Sequence, residues 1–233
     1  MANRGILLAT RHSPINRMPL QNRVTPTGDI IATPDRGLFT GNRGIIHDPA
    51  TRTLLTRRWS SNAWLTCVCE FRGRRRKVMG GRSWTELFFL DEATALAAGH
   101  RPCFFCRRDD ANRFRAAWEE GNGVAEILAP EMDAVLHRER LEGRKKRLHA
   151  LPMPLQQLPD GTMIQSGTES YLMVQGRALL WSPGGYREIR NALAGAMLLT
   201  PPSTLRALGA GYRPVLHESA VEWLAAAAKP TSS

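Results

Sequence analysis

The chain has only four cysteines in 233 residues, and they fall in two close pairs, Cys67 with Cys69 and Cys103 with Cys106. A secreted disulfide framework would carry more cysteines and scatter them, so reduced thiols in a cytoplasmic protein are expected. No apolar run approaches the roughly 18 residues of a membrane-spanning helix, and the apolar part of Met1 to Thr10 is too short for a secretory signal. No membrane partner is expected. Acidic residues are also scarce: 21 Asp and Glu against 32 Lys and Arg leave a net charge of +11. Such an excess draws polyanions by counterion release and faster encounter, so nucleic acid is the expected partner, DNA ahead of RNA. An acidic protein or a basic surface that serves only solubility is the plainer alternative. A hydrophobic fraction of 42% is enough for a folded core.

The positive charge is grouped. Arg57, Arg58, Arg72, Arg74, Arg75, Arg76 and Lys77 form one set, Arg101, Arg107 and Arg108 a second, and Arg138, Arg140, Arg144, Lys145, Lys146 and Arg147 a third. Arginine outweighs lysine in the first two, which favours bidentate phosphate contacts and stacking on bases. These two sets are the expected nucleic-acid-binding residues. Asn22-Arg23 and Asn42-Arg43-Gly44 offer further polar groups, although such clusters are more often turn chemistry.

Four segments are expected. Residues 1–56 are rich in Pro, Gly and Asn around short apolar pieces, suggesting short strands in long loops. Residues 57–120 hold both cysteine pairs. Here the pattern suggests a strand Ala63 to Phe71, a turn through Arg72 to Arg75, a return strand near Arg76 to Met79 and a strand Thr85 to Leu90. A helix from Asp91 to Ala98 with Asp91 at its N-cap and a second helix from Arg108 to Glu119 follow. Residues 121–157 form a basic connector, helical over 131–150. Residues 158–233 read as a β-meander over Leu158 to Trp181 with helices, the last from Ser219 to Lys229. The fold class is α+β, with a small antiparallel sheet, a helix-turn module and a C-terminal meander.

The cysteine spacing carries chemistry. Cys103-Phe104-Phe105-Cys106 is a C-x-x-C at a helix start, a spacing at which two thiolates chelate one Zn2+. Cys67 and Cys69, two apart on a strand, share a face, so the two pairs together would close a tetrahedral shell. A shell of Cys103, Cys106 and a histidine such as His100 is an alternative. So are four small buried residues with no metal at all. Phe104 and Phe105 are expected to form a small core around the turn, with base stacking as the functional alternative.

The stretch Glu86 to Arg107, with Ala98-Gly99-His100-Arg101-Pro102-Cys103-Phe104-Phe105-Cys106 at its heart, resembles the zinc-binding domain of Ada-type DNA methylphosphotriester repair proteins. The likeness covers about a tenth of the chain. It implies zinc on Cys103 and Cys106, with Cys67 and Cys69 corresponding by order along the chain, and a role in DNA repair or processing. The first pair departs from the family pattern, being C-x-C where C-x-x-x-C is usual. A segment without cysteine, Thr204 to Val215, echoes Glu92 to Cys103, so the Gly and Arg-Pro positions are read as a helix stop independent of metal.

A zinc-stabilised nucleic-acid-binding protein is the leading expectation. Enzymatic alternatives are methyl transfer from a DNA phosphotriester to Cys67 or Cys69, and a nuclease using His47, Asp48, Asp133, His137, Glu139 or Arg140, with His137 and Glu139 the foremost catalytic candidates. His137-Arg138-Glu139 with Pro102-Cys103-Phe104-Phe105-Cys106 also contains both halves of a zinc-deaminase signature, in reversed order.

Overall fold

The computed structural model describes residues 18–73, 77–190 and 193–227. In chain order the elements are β1 (Gln21–Val24), β2 (Ile30–Ala32), β3 (Phe39–Asn42), β4 (His47–Asp48), β5 (Thr53–Leu54), β6 (Leu65–Val68), β7 (Leu87–Phe89), α1 (Glu92–Ala97), β8 (Arg101–Pro102), α2 (Arg108–Asn122), α3 (Ala129–Arg140), β9 (Leu141–Glu142) and β10 (Lys145–Lys146). A 3-10 turn (Leu155–Gln157) leads to β11 (Thr162–Ser166), β12 (Glu169–Val174), β13 (Arg177–Ser182), β14 (Gly185–Arg190), β15 (Met197–Leu198), α4 (Pro202–Gly209) and α5 (Glu218–Ala227). The class is α+β, as expected.

Two sheets organise the molecule. The first has six strands in the order β2-β1-β7-β3-β6-β8, and the second has five in the order β14-β13-β12-β11-β15. The second is an antiparallel meander, extended by β14 beyond the strands read from the sequence. The first is mixed, since β1 runs parallel to β7 and β6 parallel to β8. Of the return strand expected near Arg76 to Met79, Arg76 lies outside the described residues and residues 77–79 form no strand with β6. Strand β6 pairs with β3 on one side and β8 on the other, and β7 pairs with the opposite edge of β3. The loop-rich N-terminal segment therefore supplies the middle of this sheet. Gly41 in β3 allows the close approach, because a Cβ there would meet the Leu65 carbonyl oxygen at 2.0 Å.

Helix α1 joins the two sheets. Its composition, Glu-Ala-Thr-Ala-Leu-Ala, lets neighbours approach from every side, and all six residues are buried. Ala95 and Ala98 face Val24, Ile30, Phe39, Leu87 and Phe89 of the first sheet. Ala93 and Ala97 pack with Met163, Leu172 and Leu179 of the second. Leu96 enters a third cluster with Phe114, Trp118, Met132 and Leu136 of α2 and α3 and with Leu208 of α4.

The ends of α1 are fixed by polar contacts as the sequence suggests. Asp91 is the N-cap, accepting from the Thr94 backbone N–H at 2.9 Å. It also accepts from Tyr186 of β14 at 2.8 Å and from the His217 N–H at 3.2 Å, so one carboxylate ties α1 to the C-terminal sheet. At the other end Gly99 N–H donates to Leu96 O and His100 N–H to Ala95 O, while Gly99 has φ +86°. This is a Schellman ending. The echo segment repeats it: Gly211 N–H donates to Leu208 O and Tyr212 N–H to Ala207 O, with Gly211 at φ +102°.

Helix α3 ends at Arg140, short of the 131–150 range expected for it. The basic run turns at Gly143 (φ +61°) into the hairpin β9–β10. Glycine at this position and two-residue pairing outweigh the helical pattern upstream.

His100 is packed at the end of α1 against Phe89 (4.6 Å between ring centroids) and Trp64 (5.1 Å), and receives the Arg43 Nε–H at 3.3 Å. Burial first, and then the charges of Arg43, Arg140 and Lys146, hold it well below its ordinary 6.5, so the folded protein keeps it neutral. Below about pH 6.5 the unfolded chain binds a proton at this residue that the folded chain refuses. Stability is therefore complete above that pH and declines as the solution is acidified. Urea midpoints should fall between pH 6.5 and 5, and His100→Gln should flatten that part of the slope. Gly99→Ala should cost about 2–4 kcal/mol in denaturant unfolding, since it combines a positive φ with a Cβ 2.5 Å from the Arg140 side chain. Gly143→Ala, with open space around it, should cost about 1 kcal/mol.

Candidate metal centre

The register of the first sheet brings the cysteines together. In the parallel pair β6–β8, Thr66 lies opposite Pro102, and the Cys103 N–H donates to Thr66 O at 3.0 Å. Cys67 and Cys103 are thus next in line on adjacent strands. The chain then turns: Phe105 N–H points at Cys103 Sγ (3.4 Å) and Arg107 N–H donates to Cys103 O (2.9 Å), which carries Cys106 back toward the other two sulfurs. The Sγ atoms of Cys67, Cys103 and Cys106 all lie within 4.8 Å of one another. Zinc–sulfur bonds of about 2.3 Å in a tetrahedron separate sulfurs by roughly 3.8 Å, so the trio has the dimensions of a metal site.

Hydrogen bonds from Cys106 and Cys67, with backbone N–H groups of Cys106 and Phe105, push the Cys103 thiol far down. Hydrogen bonding to Cys103 is in turn the largest cause that pushes Cys67 and Cys106 up. A cation placed among them would let all three ionise.

Cys69 stands apart from the trio. Strand β6 ends at Val68, so the two-residue alternation that would bring Cys69 back to the face of Cys67 stops short of it. Cys69 is exposed and its thiol is 3.5 Å from the Leu38 carbonyl oxygen. The four-sulfur shell expected from the sequence is, among the described residues, a three-sulfur cluster.

Two arginines beside the C-x-x-C are structural supports of the turn. Arg101 is 5% exposed and makes a bidentate pair with Asp133 of α3, with both N···O distances 2.8 Å. Arg107 is 4% exposed, pairs with Glu92 at 2.8 Å and with Asp110 at 2.8 Å, and its guanidinium lies 4.4 Å from the Phe39 ring centroid. Burial alone would lower the Arg107 pKa, but the Glu92 and Asp110 carboxylates win and raise it. Both arginines are withdrawn from the nucleic-acid surface expected of them, because each is consumed by a buried carboxylate. Arg57, Arg72, Lys77 and Arg108 are exposed, and Arg58 is half-buried. Arg74, Arg75 and Arg76 lie outside the described residues.

The remaining candidates are scattered. Glu139 accepts the N–H and hydroxyl of Ser203, the first turn of α4. His137 accepts from Arg140 at 2.9 Å and packs edge-on to Trp59. His47 is buried between the Thr85 hydroxyl (2.7 Å) and the Gly81 carbonyl (3.0 Å). Among the described residues none of these joins the cysteine cluster, so the histidine-plus-cysteine set of a zinc deaminase is not brought together.

A groove of about 850 Å³ reaches the cysteine trio. Cys67 and Cys106 lie on its wall, as do Cys69, Arg23, Arg36 and Arg52. Phe105, expected in a core, is instead 70% exposed at this groove, with Phe71 at 5.2 Å between ring centroids and the Arg72 guanidinium 5.9 Å from its ring. Phe104 is partly buried under the guanidinium groups of Arg101 and Arg115. In the sequence Arg36 and Arg52 stand alone among turn residues and carry no cluster signal, and Arg23 is marked only by its neighbour Asn22.

Comparison of the chain with protein-family models, with curated proteins and with solved structures gave no match in any of the three. Among the described residues, no helix is long and apolar enough to cross a membrane.

If the trio is a metal site, Cys67→Ser, Cys103→Ser and Cys106→Ser should each strip bound metal from purified protein, as read by elemental analysis. Cys69→Ser should retain it.

Proposed function

We propose that this protein binds nucleic acid, DNA in preference to RNA, and that zinc held by Cys67, Cys103 and Cys106 fixes the wall of the binding groove. The convergence of three thiols at the head of a groove that also carries three arginines supports this reading above all. Arg23, half-buried over the Phe88 ring at 4.7 Å, exposed Arg36 and half-buried Arg52 line the groove, and in this reading they meet the phosphates. Phe105 offers an open ring for an unpaired base. The net charge of +11 supplies the long-range attraction. The groove is not uniformly positive, since Glu70 and Glu86 also line it. Their presence favours a strand threaded between defined cations over loose adhesion to a basic face. The local likeness to the Ada-type zinc domain points the same way, toward DNA repair or processing.

One observation favours a second reading, in which the centre reacts. A zinc ion held by Cys67, Cys103 and Cys106 alone would have three protein ligands, the number found in catalytic zinc sites. In the methyl-transfer form of this reading a thiolate attacks the methyl carbon of a phosphotriester: an S–C bond forms, the C–O bond breaks, and the phosphodiester leaves as an anion. Cys67 is the acceptor placed in the trio. Cys69, outside it, lacks the activating neighbours.

Anisotropy titrations with single- and double-stranded DNA and RNA test the main reading. Binding should weaken with salt, Arg36→Ala and Arg52→Ala should each reduce the logarithmic salt slope by about 1, and strong chelation should lower affinity. Affinity for every nucleic acid that is unmoved by these variants would refute it. Mass spectrometry after incubation with methylphosphotriester DNA separates the second reading, which requires one methylated cysteine.

A further inference from the structure

A second cavity, of about 320 Å³, lies away from the cysteines, between the β1–β2 turn, β3, α3 and the β9–β10 hairpin. Six cationic side chains line it: Arg43, Arg58, Arg140, Arg144, Lys145 and Lys146. Asp29, exposed at the rim, is the single carboxylate among its lining residues. Three of the cations are committed to the interior. Arg43 is 2% exposed and Arg140 1%, and Lys146 keeps part of its stem accessible while its ammonium turns inward to the Ala97 carbonyl.

The centre of this cluster is Trp64. The Arg43 guanidinium carbon lies 3.9 Å from its ring centroid and that of Arg140 3.8 Å. Two like charges therefore stack on a single indole. The π system and four backbone carbonyls, those of Gly28, Asn62, Ala97 and Gly99, offset part of the desolvation. They do not complete it. Arg43 Nη2 and Arg140 Nε are buried without any partner, and no ion pair reaches Arg43, Arg140 or Lys146 among the described residues. Of the nearby carboxylates, Asp133 is engaged by Arg101 and Glu139 by Ser203, and Asp29, which raises the Arg43 pKa from the exposed rim, accepts from the Thr27 hydroxyl and forms no ion pair with Arg43.

Charge buried without a counter-charge is costly, and an anion entering the cavity removes that cost. Burial holds Arg43 down to about 9 despite the Asp29 carboxylate, and burial followed by repulsion from neighbouring arginines holds Arg140 to about 9 and Lys146 to about 7. The cavity is several times larger than an inorganic oxyanion needs and lies at the lower end of small-ligand sites. Trp59, half-buried on its wall, supplies a flat apolar surface beside the cations.

We propose that this cavity binds a nucleoside phosphomonoester, its phosphate held by Arg43, Arg140 and Lys146 and its base laid against Trp59, with Arg58, Arg144 and Lys145 guiding entry. The phosphomonoester belongs to a free nucleotide or to the phosphorylated end of a strand. The site is separate from the cysteine groove and does not depend on it.

Calorimetry on the full chain at fixed ionic strength tests this, with AMP, ribose 5-phosphate, adenosine and sulfate as probes. AMP should bind once per chain, ribose 5-phosphate about tenfold more weakly, and adenosine not measurably. Lys146→Gln should weaken AMP about tenfold or more, the loss expected for one charge-assisted hydrogen bond. Trp59→Ala should bring AMP down to the level of ribose 5-phosphate, and Cys106→Ser should leave AMP binding unchanged. Arg144→Ala, at an exposed position, should weaken AMP several-fold with no threat to folding, whatever becomes of Arg43→Met. A 5′-phosphorylated oligonucleotide that outcompetes its 5′-hydroxyl twin for the AMP site assigns the ligand to a strand end, failure of both to compete assigns it to a free nucleotide, and equal displacement by both overturns the proposal. Sulfate matching AMP, or AMP affinity unmoved in both Lys146→Gln and Arg144→Ala, overturns the proposal.

Discussion

The buried pair between Glu92 and Arg107 is the contact on which the rest of the arrangement depends. Glu92 opens α1, and Arg107 follows the second cysteine of the C-x-x-C turn, so one ion pair at 2.8 Å joins the shared central helix to the sulfur cluster. The carboxylate is fully used. It also accepts from the Tyr212 hydroxyl at 2.7 Å and from the Val215 N–H at 3.0 Å, drawing in the segment after α4. Removing either partner would leave the other as an uncompensated buried charge, which is strongly destabilising.

Local signals were legible in the sequence, and long-range ones were not. The Asp91 cap, the Gly99 stop, its echo at Gly211 and the two-cysteine turn are each written within a few residues, and each formed as expected. The pairing of β6 with β3 and β8 depends on segments far apart in the chain, which no short window contains. Cys69 illustrates the difference: alternation places it beside Cys67 only while the strand lasts, and where β6 ends is decided by its partner β3.

Charge was the most misleading local signal. A run of arginines reads as a surface, yet Arg101, Arg107, Arg43 and Arg140 are interior residues. Two of them are neutralised by carboxylates that sit elsewhere in sequence, Asp133 and Glu92. The other two stack on one tryptophan. Composition reports how much positive charge exists but says nothing about where carboxylates will meet it. Burying the pairs Arg101–Asp133 and Arg107–Glu92 leaves the net charge of +11 unchanged, whereas Arg43 and Arg140 withdraw positive charge from the surface without a carboxylate.

Helix α1 contributes to three apolar clusters at once, and this sharing decides how the molecule can be divided. A segment cut out around the cysteine turn would expose the sides of α1 that Met163, Leu172, Leu179 and Leu208 cover, and would lose Tyr186 and Tyr212 from its two acidic anchors. The turn is therefore not a portable cassette that could be grafted onto another chain, and its two flanking halves are obliged to evolve together.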